Sequence, residues 1–119
     1  MFLKLNHQNL FVYGETRIFS KHCFHLSKSL PPDERYNLVQ QIRRAALLVH
    51  LNLAEGASRK SLTERKRYYE IARGSVIEID AALDACEDFG YCVKDSLTDL
   101  GSSMIRVFVA LTKMINEAP

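Results

Sequence analysis

Apolar residues recur in this chain at alternating steps of four and three, and that period restricts the fold more than any other feature. Four segments carry it. Val12, Thr16, Phe19, Cys23, Leu26 and Leu30 form the first series, and Leu38, Ile42, Ala45, Val49 and Asn52 the second. Tyr68, Ala72, Val76, Ile79, Leu83 and Cys86 form the third, and Leu97, Leu100, Met104, Phe108, Leu111 and Ile115 the fourth. Such steps return to one side of an α-helix. No strand-like alternation bounded by turns appears.

The breaks between the segments have their own chemistry. The first helix is predicted over Phe11 to Ser29. The second starts after Pro31-Pro32, with Asp33 and Glu34 suited to a positive helix start, and runs to about Gly56. Ser61-Leu62-Thr63-Glu64 reads as a capping box for the third, and Gly90 as its left-handed stop. The fourth begins near Asp95 and reaches about Glu117, with Gly101 weakening its first turns. Four helices of this length with short connections predict an all-α fold, an antiparallel up-down-up-down four-helix bundle over residues 11–117 behind an N-terminal arm of residues 1–10.

Composition narrows the function classes. A chain of 119 residues, 47% apolar and 25% charged, holds one domain with a real core. Three cysteines, Cys23, Cys86 and Cys92, are too few and odd in number for a disulfide framework, which points to a reducing, cytoplasmic setting. No apolar run approaches the ~20 residues that span a bilayer.

Two features go beyond a plain monomeric bundle. Residues 45–54 read AALLVHLNLA, eight of them apolar, and a helix apolar all round must be covered all round. With Ile77 on the outward line of helix three, this makes Leu47, Leu48, Leu51 and Ile77 candidate subunit-interface residues. The second feature is charge. Residues 1–73 hold 13 Lys+Arg against 6 Asp+Glu, and residues 74–119 hold 3 against 8. Helix three starts basic and ends acidic, the reverse of what its macrodipole favours. Arg59, Lys60, Arg65, Lys66 and Arg67, with one acid among them, therefore form a candidate nucleic-acid-binding patch at the helix two–helix three end, where free amides and cations point the same way. Arg59 and Lys60 also suit the negative C-terminus of helix two, so structural work competes with binding there.

Several strings taken together resemble a known family. They are Leu30-Pro31-Pro32-Asp33-Glu34-Arg35, Gln41-Ile42-Arg43-Arg44-Ala45-Ala46, Asn52-Leu53-Ala54-Glu55-Gly56, Ile71-Ala72-Arg73-Gly74-Ser75 with Glu78, and Phe89-Gly90-Tyr91. In this order they are similar to the proteins encoded in intervening sequences of bacterial 23S rRNA genes, over roughly Leu10 to Ile115. The resemblance implies a cytoplasmic bacterial protein that assembles as a ring-shaped homopentamer of four-helix bundles. More distantly the chain is similar to the accessory variability proteins of diversity-generating retroelements, which implies nucleic acid and a nucleic-acid-processing protein as partners. Leu48-Val49-His50 stands where the family usually has Ser-Ile-Pro, and Asn37 where it often has glycine; without that proline, helix two is predicted to run straight. On packing grounds, Ala45-Ala46, Ala72 and Gly74-Ser75 allow close helix approach, Asn52 needs a partner if buried, and Glu55 could pair with Arg43 or Arg44.

No pattern supports chemistry. His22-Cys23-x-His25 lacks a second ligand pair at zinc spacing, and there is no nucleophile–base signature or phosphate loop. The expected protein is a non-enzymatic homo-oligomer without metal or cofactor, which binds RNA or DNA, or a nucleoprotein, at its basic end. The alternative is a structural or protein-interaction scaffold whose charge polarity serves assembly.

Overall fold

A computed structural model describes residues 1–117. Four helices account for most of them: α1 (Phe11–Ser29), α2 (Leu38–Ser58), α3 (Leu62–Asp88) and α4 (Thr98–Glu117), with short 3₁₀ turns at Asn6–Asn9, Pro32–Glu34 and Lys94–Leu97. No strand occurs among the described residues. Each helix packs on the next, and α1 closes the bundle against α4, leaving α2 and α4 on a diagonal. The short connections make neighbours antiparallel, so the arm, the α2–α3 corner and the end of α4 share one end of the bundle.

The predicted stripes supply most of the core: Phe19, Ile42, Val49, Ile79 and Leu111 are fully buried. Leu53 and Val107, outside the predicted series, are fully buried too, whereas Asn52, Leu83, Leu97 and Phe108 of those series are only half-buried. α2 runs unbroken through Leu48-Val49-His50, as the missing proline predicts. Helix three differs at its start: Tyr69, not Tyr68, enters the core, and Tyr68 is half-buried at the rim. α4 starts at Thr98, three residues past Asp95, after a 3₁₀ turn.

The ends show why the chain turns where it does. Ser61 Oγ accepts the Glu64 amide at 3.3 Å, but the Glu64 carboxylate makes no return bond, so only half of the capping box forms. Gly90 has φ +78°. Its amide donates to Glu87 O and that of Tyr91 to Cys86 O, a Schellman stop at the end of α3. This aims the Tyr91 hydroxyl at Glu34, to which it donates at 2.8 Å across 57 residues. Glu34 is buried and also accepts from Asn37 Nδ2 at 2.9 Å. These contacts turn Glu34 inward, and the Pro32–Glu34 turn stays separate from α2, which starts at Leu38 rather than directly after the prolines. The Tyr91 and Asn37 bonds also hold the Glu34 carboxyl below its usual range.

Polar side chains tie α1 to α2. Thr16 Oγ1 donates to Tyr13 O at 2.9 Å, so it accepts from His50 Nδ1 at 2.8 Å, which places the imidazole proton on Nδ1. The His50 ring lies 4.8 Å from that of Tyr13, which in turn holds His7 of the arm at 4.9 Å. Burial, then the nearby charges of Arg17 and His7, push the His50 pKa below 6.5. A histidine whose folded pKa is depressed withdraws stability as pH falls. The melting temperature is expected to hold steady above about pH 6.5 and to fall as the pH is lowered below it, a slope that His50→Gln should flatten. An unchanged slope in the variant, followed by circular dichroism, would contradict this assignment.

Candidate nucleic-acid interface

The α2–α3 corner is built around one close approach. Gly56, in the last turn of α2, is buried beneath the first turns of α3. A Cβ added there would stand 2.9 Å from both Tyr68 Cβ and the Tyr69 ring. Only glycine lets the helices meet this closely, and the three-residue connection Arg59–Ser61 then has to turn sharply.

That turn commits two of the five candidate cations to structure. Arg59 pairs with Glu55, donates to Tyr68 Oη at 3.2 Å and places its guanidinium 5.1 Å from the Tyr68 ring centre. Glu55, then Tyr68, raise its pKa further. Arg65 donates Nε to the Arg59 carbonyl at 2.5 Å, satisfying an acceptor left over at the end of α2. The sequence expectation of an ion pair from Glu55 to Arg43 or Arg44 fails for a simple reason of reach: eleven or twelve residues of helix span about 17 Å. Glu55 takes Arg59, four residues on. Arg43 instead donates to Ser27 Oγ at 2.7 Å and lies over the Phe24 ring. Asn52 is satisfied within its own helix, donating to Leu48 O at 2.9 Å.

The other three cations are freer. Lys60 and Arg67 are exposed and Lys66 is half-buried, and none makes an ion pair among the described residues. Arg67 lies 5.3 Å from the Tyr68 ring centre, so that ring carries two guanidinium groups. A recess of about 280 Å³ opens between the arm and the corner. Leu5, Asn6 and His7 form one wall, and Ala57, Ser58, Arg59, Lys60 and Arg65 the other. Lys66 and Arg67 lie outside it. The structure thus gathers three of the five cations about one concavity and places the rest nearby on α3. The arm residues went unnoticed in the sequence, because residues 1–10 carry no periodic signal linking them to the corner.

The four candidate interface residues fall as follows. Leu47, Leu51 and Ile77 are exposed and Leu48 is half-buried. Ile105 and Val109 of α4, among further exposed apolar side chains that include Phe11, Ile18, Ile71 and Phe89, were missed. Ile105 and Val109 lie off the α4 core stripe, and that apolar excess was visible in the sequence.

Cys23 and Cys86 are buried thiols, pushed by burial up to about 12 and about 11. Among the described residues no three His, Cys, Asp or Glu side chains group to hold a metal ion, and no helix is long and apolar enough to cross a membrane. The class defined by fold and site is a small antiparallel four-helix bundle with a basic corner. Residues 8–116 match the family model for 23S rRNA-intervening sequence proteins, and the chain belongs to that family. No curated protein matches it. The strings that suggested the family have structural work in the fold: Gly56 at the close approach, Ala72 and Ser75 buried on α3, and Phe89-Gly90-Tyr91 at the Schellman stop.

Proposed function

We propose that this protein is a non-enzymatic, cytoplasmic homo-oligomer, a ring of five subunits, that binds nucleic acid or a nucleoprotein partner at its basic α2–α3 corner. The observation that carries the reading is the recess walled by Arg59, Lys60 and Arg65, with Lys66 and Arg67 on the adjoining face of α3. Fixed guanidinium groups beside mobile lysines suit a phosphate backbone, which rewards charge without demanding base readout. The positive start of α3 adds to the same field. One corner supports only weak affinity, and repetition around an oligomer multiplies it, since each further contact becomes intramolecular. The Arg59 and Arg65 guanidinium groups are engaged by Glu55, Tyr68 and the Arg59 carbonyl rather than left free for base edges, so sequence preference is expected to be small.

The test spares the structural arginines. A triple variant, Lys60→Gln, Lys66→Gln and Arg67→Gln, is titrated with labelled single- and double-stranded oligonucleotides by fluorescence anisotropy at low and near-physiological salt. The wild type should bind at low salt and weaken steeply as salt rises. The variant should bind at least about tenfold more weakly, with its slope of log affinity on log salt reduced by ~0.9 per lost duplex phosphate contact or ~0.7 per single-strand contact. No binding by the wild type at low salt, or an unchanged affinity in the variant, would leave the protein as a scaffold.

A further inference from the structure

We infer that one subunit docks the outer ridge of α2 onto the α3–α4 groove of the next, and that this head-to-tail contact is the assembly interface. The inference rests on the oligomeric part of the reading above and adds which two surfaces meet. Leu47 and Leu51 stand 55% and 51% exposed on the outside of α2. On another side of the molecule, Ile77 of α3 and Ile105 and Val109 of α4 are 54%, 64% and 60% exposed. α2 and α4 are diagonal in the bundle, so one subunit cannot cover its own groove with its own ridge. Two apolar faces that cannot meet within one copy can meet between copies, and different patches meeting head to tail form a heterologous interface.

The groove has a shape that admits a ridge. Between α3 and α4 a depression of about 230 Å³ is lined by Val76, Ile77, Asp80, Met104, Ile105 and Phe108. Gly74, one turn before Ile77, is exposed and adds no side chain beside the groove.

Charge selects the partner and sets its register. Arg44 lies one turn before Leu47 and Leu48 on α2, exposed and without an ion pair among the described residues. Asp80 lies one turn after Ile77 on α3, also exposed and unpaired, with Asp84 one turn beyond. α2 and α3 run in opposite directions, so "before" on one and "after" on the other point to the same end of the bundle. Two copies placed side by side in the same orientation therefore set Arg44 against Asp80 whenever the Leu47–Leu51 ridge meets Ile77. An inverted neighbour would set Arg44 towards the basic start of α3. The occupant that fits both the apolar surface and the charge order is a second copy of this chain.

The decisive experiment mixes two variants, each with one ruined face. Size-exclusion chromatography with light scattering is run on the wild type, on Leu51→Glu, on Ile105→Glu, and on an equimolar mixture of the two variants. Both sites are exposed, so the bundle should keep its helical circular dichroism. The wild type should run well above the 13.6 kDa of one chain. Each variant should fall to the single-chain mass, and the mixture should rise to twice that mass and no further, because each variant keeps one intact face. A second pair guards against misfolding: Arg44→Glu should weaken assembly at least tenfold, and adding Asp80→Arg should restore it. A wild-type monomer would overturn the oligomeric reading altogether. A wild-type oligomer that both glutamate variants leave intact, or a charge reversal that fails to rescue, would overturn only the surfaces assigned here.

Discussion

Phe19→Ala is expected to destabilise the bundle by about 3–5 kcal/mol, enough to lower the melting temperature by about 12–20 °C. Phe19 is the largest fully buried side chain in the protein. Its neighbours on the α1 stripe, Thr16 and Cys23, are small and already buried, so they cannot swing in to fill the space it would leave. Thr16 is moreover held by its bonds to Tyr13 O and His50. A cavity that cannot collapse lies at the costly end of such truncations. Against a total stability of about 5–15 kcal/mol, the variant should be partly unfolded at temperatures where the wild type is intact. Urea denaturation measures this directly, and a loss under about 1 kcal/mol would mean that the α1 face is packed more loosely than described.

The second large effect is at Gly56. Elsewhere in a helix, glycine to alanine is a stabilising change of up to about 1 kcal/mol. At Gly56 the new methyl would meet Tyr68 Cβ, which is anchored directly to the α3 backbone and cannot rotate aside. The helices must part, and Tyr69 must shift with them. Overpacking of this kind costs about 1–3 kcal/mol, so Gly56→Ala should lower the melting temperature by about 5–10 °C. Gly14→Ala is the internal comparison: the position is exposed, nothing lies within 4 Å of the added Cβ, and the change should raise stability slightly. Equal shifts in the two variants would contradict the close approach.

Helix existence was legible from the four-three spacing, because a core stripe needs little beyond period, and the antiparallel order from the short connections. The stop at Gly90 was legible because one backbone conformation favours one residue type. Glu34 was harder to read. As sequence it suits a helix start, and only the distant Tyr91 hydroxyl turns it inward. Tyr68 and Tyr69 were similarly ambiguous, since either continues the α3 stripe within one residue, and the choice is made by Gly56 on another helix. At the corner, the cations were visible as a run, whereas the separation of the structural Arg59 and Arg65 from the freer Lys60, Lys66 and Arg67 depends on Glu55, Tyr68 and a carbonyl. Charge runs announce a field, and the partners of each charge are tertiary facts.

The three-residue connection between α2 and α3 also bears on the order of events in folding. These two helices form the most extensive pair in the bundle and are its nearest in sequence, so their hairpin closes at the least entropic cost. It should be largely formed in the transition state, with α1 and α4 docking afterwards. Gly56→Ala would then act chiefly by slowing folding, and Phe19→Ala chiefly by speeding unfolding. Stopped-flow chevrons of the two variants separate these limbs. If Phe19→Ala instead slowed folding more than Gly56→Ala did, the nucleus would have to include α1.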